Sequence, residues 1–138
     1  MQRMFRIPFV IAAASVLAFP GELPAKIQAK FIQILANSAG TGHKVCCKDS
    51  AVMAELGSLG ISNDAGAKVA WGANSDEVKA LKAQGKMVIC GRLDWLSVGG
   101  SIAIVEEGGK PQIYLHMGNI AASGVTLGEG VLKIGRKL

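Results

Sequence analysis

Three cysteines, two histidines and one serine in a glycine turn are the side chains of this 138-residue chain best suited to redox, ligation or nucleophilic chemistry. Cys46 and Cys47 are neighbours. In a strand they point to opposite faces, and they cannot bridge each other without strain. Cys90 lies in a later apolar run. If the strands that carry them are ordered 2-1-3, as in a doubly wound sheet, the first and third are adjacent. One of Cys46 or Cys47 then faces Cys90, and Cys47–Cys90 is the candidate disulfide in an oxidising compartment. The competing reading makes all three cysteines small buried hydrophobes. The chain lacks C-x-x-C and C-x-x-C-H, so thioredoxin-type exchange and covalent haem attachment have no support.

The histidines lie far apart, His43 at the start of one apolar run and His116 at the end of another. Neither has a second ligand-type residue at a metal-binding spacing, so both read as rim residues and no metal is expected. Gly99-Gly100-Ser101-Ile102-Ala103 only faintly echoes a nucleophile elbow. It lacks the final glycine, and it precedes a strand instead of linking a strand to a helix. Ser101 therefore reads as an ordinary first strand residue. Phosphate-binding loops are missing too: Gly40-Thr41-Gly42 stands before the first strand, on the wrong side to present a helix N-terminus. What remains is a polar and aromatic set at the ends of predicted strands: Trp71, Asn74, Arg92 and Asp94. In an open α/β sheet ligands bind at that edge. The plainer alternative is that the tryptophans cap the core and find one hydrogen-bond partner each.

The elements that must position these residues alternate. Residues 25–37 have apolar Ile27, Phe31, Ile34 and Leu35 at helical spacing, with Lys26, Gln28, Lys30 and Gln33 mostly opposite. Strands are predicted over 43–48, 67–71 and 86–91, the last a continuous apolar run suited to burial on both faces. Between them Asp49 or Ser50 caps a helix through Leu59. Asn74 and Glu77 have capping-box spacing before a helix over 75–84 that Gly85 stops. Residues 101–106 and 111–116 read as a hairpin. A short helical turn over 119–123 follows, and then a tail in which Leu127, Val131, Ile134 and Leu138 have helical spacing. The expected architecture is α/β: a single three-layer domain with a mixed sheet of about five strands, a parallel core plus a C-terminal antiparallel hairpin, and helices on both faces.

The N-terminus reads as a secretory leader. Arg3 and Arg6 precede an uncharged, mostly apolar stretch over 7–19, and Pro20-Gly21 breaks it. Small residues offer cleavage after Ala18 or after Ala25. The leader is assigned to 1–25 and the domain to 26–138. No cysteine follows the apolar stretch, so a lipoprotein anchor is not expected. Net charge is +5 and falls to +3 without residues 1–18. The basic residues are scattered except for Lys133, Arg136 and Lys137, which a final helical turn would explain. A nucleic-acid partner, which needs a clustered basic face, is not expected. Half of the residues are hydrophobic and 18% are charged, which excludes a disordered tail. No apolar stretch reaches the roughly 18 residues of a spanning helix.

Residues 99–132 resemble the end of YfiR-like proteins. Gly99-Gly100, Ile102 to Val105, Ile113 to Leu115, Asn119, Ala121-Ala122, Gly124 and Leu127 to Leu132 follow that family's order, and Ile27 to Leu35 resembles its first helix. The resemblance implies an exported bacterial protein with an α/β sheet. It also implies a non-enzymatic regulator of a membrane signalling protein, a diguanylate cyclase in the characterised relatives. The motif residues read as structural, and no catalytic residue or cofactor is carried over. The paired cysteines of the redox-responsive relatives have no clear counterpart in Cys46, Cys47 and Cys90. The expected function is thus a periplasmic or secreted regulatory or binding module, acting on a membrane signalling protein or on a second copy of itself. The alternatives are a small-ligand or redox-responsive protein and, less favoured, a self-assembling one.

Overall fold

A computed structural model describes residues 21–138. The chain is α/β, with one mixed sheet and helices packed on both of its faces. In order, the elements are α1 (Ala25–Ser38), β1 (Lys44–Cys47), α2 (Ser50–Ser58), β2 (Ser62–Asn63), β3 (Val69–Gly72), α3 (Ser75–Ala83) and β4 (Met87–Cys90). A 3-10 helix (Leu93–Val98), β5 (Ile102–Glu107), β6 (Lys110–Leu115), α4 (Met117–Ser123), α5 (Glu129–Ile134) and β7 (Arg136–Lys137) complete the chain.

The sheet has seven strands in the order β2-β1-β3-β4-β5-β6-β7, two more than expected. The additional ones, β2 and β7, are two-residue edge strands. Neither is long enough to show a period of two in sequence. The pairs from β2 to β5 are parallel, β5 and β6 form the antiparallel hairpin, and β7 runs parallel to β6. The hairpin turn is tighter than the four-residue loop expected. Glu107 pairs with Lys110, leaving Gly108-Gly109, both at positive φ, as the two-residue turn that suits strand twist.

Alternation along the strands divides the interior. One face carries Val45, Cys47, Trp71, Ile89, Ile102, Ile104, Ile113 and Leu115 under α1, α2, α4 and α5. The other carries Cys46, Ala70, Val88, Cys90, Ala103 and Tyr114 under α3 and the 3-10 helix. The order of the strands corrects one expectation. β3, the second of the long parallel strands, lies between β1 and β4, so the strands bearing Cys47 and Cys90 are not neighbours.

Two local readings also change. Helix α1 buries Gln28, Ala29, Ile32, Leu35 and Ala36, whereas Ile34 is exposed. Ala29 and Ala36 are buried beside Ile32 and Leu35, so the buried stripe is rotated from the one that Ile27, Phe31 and Ile34 mark. The tail helix stops at Ile134. At Gly135 the backbone is extended and lies against the Leu115 side chain, and the chain continues as β7, after which the Leu138 N–H bonds to the Leu115 carbonyl at 2.8 Å. Arg136 and Lys137 are therefore strand residues, and only Lys133 sits in a last helical turn.

Gly21–Ala25 pack against the domain assigned to 26–138. Gly21 forms an antiparallel bridge with Glu106, Leu23 is buried in the core, and Pro24 precedes the first turn of α1. Residues 1–20 lie outside the described residues, and with them Arg3, Arg6 and the apolar stretch of the expected leader. Among the described residues no helix is long and apolar enough to cross a membrane.

Candidate functional site

The C-terminal ends of the parallel strands meet the description of a ligand edge. β2 lies on one side of β1 and β3 on the other, with α2 and α3 on opposite faces of the sheet. The progression of strands therefore reverses between β1 and β3, the switch point where doubly wound folds bind ligands.

Two helices begin there. Asp49, extended at the end of β1, accepts from the N–H groups of Ala51 (3.1 Å) and Val52 (3.3 Å) and so caps α2. Its second oxygen accepts the indole N–H of Trp71 at 3.3 Å. One carboxylate thus joins the end of β1 to β3. Asn74 caps α3 by accepting the Glu77 N–H at 2.9 Å. The Glu77 carboxylate turns back and accepts the Ala73 N–H at 2.9 Å. The capping box read from sequence is present, with the return bond one residue earlier than expected.

The four residues of the expected edge are therefore only partly brought together. Trp71 is buried on the α1 side of the sheet and bonded to Asp49. Asn74 is committed to its helix. Arg92 and Asp94 lie past β4 and bind each other through two contacts of 3.0 and 3.2 Å, with the guanidinium over the Trp95 ring at 5.6 Å. Hydrogen bonding to Arg92 lowers the Asp94 pKa, and the same bond raises that of Arg92. Both side chains are well exposed.

Two nearby features carry no sequence signal. Gln28, in the first half of α1, is 6% exposed, and its side-chain amide has no hydrogen-bond partner among the described residues. It packs on Gly91, where an added Cβ would lie 3.0 Å from Gln28 Nε2 and 3.3 Å from Trp71 Cη2. On the α3 side, Cys46, Lys48, Trp71, Glu77, Leu81 and Gln84 line a cleft of about 40 Å³. That is room for a few waters, far below the roughly 300–1,000 Å³ of ligand pockets.

Cys46, Cys47 and Cys90 are free and buried, so the Cys47–Cys90 disulfide is not formed. The two residues face opposite sides of the sheet, with β3 between their strands. Burial pushes the Cys47 thiol up to about 11 and the Cys90 thiol up to about 12. Their weak contacts are to the carbonyls of Asp49 and Arg92. Neither is a ready nucleophile.

Ser101 is fully buried, and its hydroxyl accepts the Val88 N–H at 3.3 Å, splicing β4 to the start of β5. His116 caps α4, its Nδ1 accepting the Asn119 N–H at 3.0 Å. Asn119 in turn donates to the carbonyls of Gly100 (2.8 Å) and Leu96 (3.3 Å), tying α4 to the turn before β5. Gly100 lies against Cys90 Sγ and the Trp95 carbonyl. The Gly-Gly…Asn…Gly pattern of residues 99–124 thus does structural work. His43 is exposed, and its carbonyl accepts the Ser62 N–H at 2.7 Å. Among the described residues no group of three or more His, Cys, Asp or Glu is placed to hold a metal ion.

No family model matches the chain, and no curated protein does. Among solved structures it is similar to a conserved domain protein from Vibrio cholerae O1 biovar El Tor, with a TM-score of 0.58 and 10% sequence identity. The similarity covers 83% of this chain and 60% of that one. At that identity the likeness is one of fold.

Proposed function

We propose that the protein is a non-enzymatic periplasmic regulatory or binding module, of the YfiR-like kind, that acts by contact with another protein. The observation that carries this reading is the closed state of the strand ends. Asp49, Asn74 and Glu77 satisfy backbone and indole N–H groups of their own chain, Arg92 and Asp94 satisfy each other, and the adjoining cleft admits only water. A site built for a small molecule presents converging polar groups with free hydrogen-bonding capacity. The leader-like N-terminus and the resemblance over residues 99–132 supply the compartment and the kind of partner, a membrane signalling protein such as a diguanylate cyclase.

The test is a crosslinking pull-down of the tagged, exported protein from its own envelope, with mass spectrometry of what is recovered. Specific recovery of a membrane signalling protein supports the reading. Recovery of only the protein itself moves the assignment to self-association. The exposed apolar residues Ile34, Ile134 and Leu138 are the first positions to vary, because contact surfaces concentrate such groups.

A second reading, small-ligand binding, is favoured by one feature, the buried Gln28 amide beside Gly91 and Trp71. A thermal-shift screen of polar metabolites against wild type and Gln28→Leu tests it. A ligand that raises the wild-type midpoint and not the variant's would carry the assignment there.

A further inference from the structure

We propose that the outer face of α1, with α5 beside it, docks on an anionic lipid surface, Lys26 and Lys30 against the phosphates and Ile34 at the acyl boundary. No protein partner is needed for this contact, so it stands apart from the function proposed above. The helix buries the Gln28 amide with Ala29, Ile32, Leu35 and Ala36, and it leaves Ile34 47% exposed and Ile27 and Phe31 half-buried. Core burial alone would turn Ile34 inward and Gln28 out, because an apolar side chain gains by leaving water and an amide pays to do so. The observed rotation instead presents an apolar stripe toward the outside, Ile27, Phe31 and Ile34 at i, i+4 and i+7. Lys26 and Lys30 run alongside that stripe, and both are exposed.

The neighbouring elements extend the same surface. The Gly128 N–H at the start of α5 donates to Ser38 Oγ at 2.7 Å, which sets α5 beside the end of α1 on one face of the sheet. Ile134 at the end of α5 is 60% exposed, and Lys133 before it is exposed. β7 then brings Lys137 into register with Leu115, whose side chain belongs to this face. Among the described residues none of these four lysines forms an ion pair. α1 contains no acidic residue, and the acids on the other helices of this layer are Glu55 of α2 and Glu129 of α5. On the opposite face, α3 sets Asp76 and Glu77 against Lys79 and Lys82. Exposed lysines beside aliphatic side chains suit a lipid interface, with cations on the headgroup phosphates and apolar groups just beneath them. They suit a protein groove less well, since there Trp, Tyr and Arg carry the energy and Lys is depleted. Neither α1 nor α5 contains Trp, Tyr or Arg.

The experiment uses the full chain with vesicles of phosphatidylglycerol and phosphatidylcholine in equal amounts, and vesicles of phosphatidylcholine alone as the neutral surface. Ile34→Cys carries a polarity-sensitive dye, attached at neutral pH, where the buried natural thiols react slowly. Lys79→Cys carries the same dye on an exposed position of α3 as the reference. A dye at a fixed place reports which face meets the lipid, whatever residues 1–20 add to the binding. The expected result is a blue shift at Ile34→Cys on anionic vesicles, none on neutral vesicles and none at Lys79→Cys. High salt should reverse it, since the Debye length falls to about 3 Å at about 1 M. Adding Lys26→Gln or Lys30→Gln should weaken vesicle affinity about fivefold each, the attraction of one cation near such a surface. Thermal melting should stay unchanged, because both lysines are exposed. No shift at Ile34→Cys, equal shifts at both labelled positions, or an affinity indifferent to both lysines overturns the inference. So does a shift at Ile34→Cys that grows with protein concentration in the absence of vesicles, which would make this face a contact between two copies.

Discussion

The buried thiols give a sharp test of how the sheet is ordered. Cys90 is fully buried and its thiol is pushed from 9.0 up to about 12, while Cys47 rises to about 11. At any pH well below 9, the thiolate fraction is lower by about 1,000-fold at Cys90 and about 100-fold at Cys47 than in an unperturbed thiol. Alkylation proceeds through the thiolate, so iodoacetamide at neutral pH should label both residues slower by at least those factors. In unfolded protein all three cysteines should label at once, to the same extent with and without prior reductant, even in material from an oxidising compartment. Peptide mass spectrometry reads site and rate together. A Cys47–Cys90 crosslinked peptide would refute the placement of β3 between β1 and β4, and Cys90 labelling at the rate of a model thiol would refute its burial.

The same burial sets a pH dependence. The folded-state pKa of Cys90 is raised above its unfolded value, so its contribution to stability is complete below about pH 9 and is lost as pH rises toward about 12. Over that window the loss is on the order of 4 kcal/mol. Tyr114, its pKa raised by its hydrogen bond to Glu107, adds its own alkaline dependence, so the informative quantity is the difference in urea-unfolding free energy between wild type and Cys90→Ala. That difference should shrink steadily from pH 9 upward. If it stays constant to pH 11, Cys90 is not held as a buried neutral thiol.

Three further outcomes follow from particular contacts. Gly72→Ala places a Cβ 2.6 Å from Val78 Cγ2 and 3.3 Å from the Val78 backbone, so α3 must move off β3. A loss of about 1–3 kcal/mol, read from the urea midpoint, is expected. Asp49→Ala removes the α2 cap and the only described partner of the Trp71 indole N–H. It should cost roughly 2–3 kcal/mol and shift tryptophan emission, and Asp49→Asn should recover most of both. Arg136 sits 3.2 Å from the Tyr114 hydroxyl and 3.4 Å from Glu107, and that hydroxyl is bonded to both Glu107 oxygens. Arg136→Ala should cost under about 1 kcal/mol, because the pair is exposed, yet it should speed hydrogen exchange at the Leu138 amide as β7 frays.

What could be read ahead of the structure was local. Asp49, Asn74 with Glu77, Gly85 and Gly124 mark helix ends because capping is a short-range property of a few atoms. Strand order was not legible. It turned on Ser62–Asn63, a polar two-residue strand that takes the outer edge of β1 and leaves the inner edge to β3. With that edge unassigned, a 2-1-3 order placed the cysteine strands side by side. The tail misled for a related reason. Leu127, Val131, Ile134 and Leu138 fit a helix by spacing alone, while the contact that ends the helix, Gly135 against Leu115, lies 20 residues away in sequence. At the strand ends, the cap between Asn74 and Glu77 was visible. The bond from Trp71 to Asp49 was not, since nothing local in sequence links them.

That bond bears on how the fold is used. Helix N-termini at a switch point bind anions when their N–H groups are free. Here α2 and α3 both begin at the reversal between β1 and β3, and each first turn is occupied by a side chain of its own, Asp49 on one and Asn74 with Glu77 on the other. Asp76 adds a further negative charge in the first turn of α3. A phosphate could reach those amides only by displacing the side-chain oxygens of Asp49 and Asn74 already bonded to them, against the negative charge of Asp49, Asp76 and Glu77. The architecture that in other proteins cradles a nucleotide is therefore stabilised from within, and its strand ends serve to fix β1 against β3. Under the proposed function recognition falls to the outer surface, which is where the envelope pull-down and the variants at Ile34, Ile134 and Leu138 are directed.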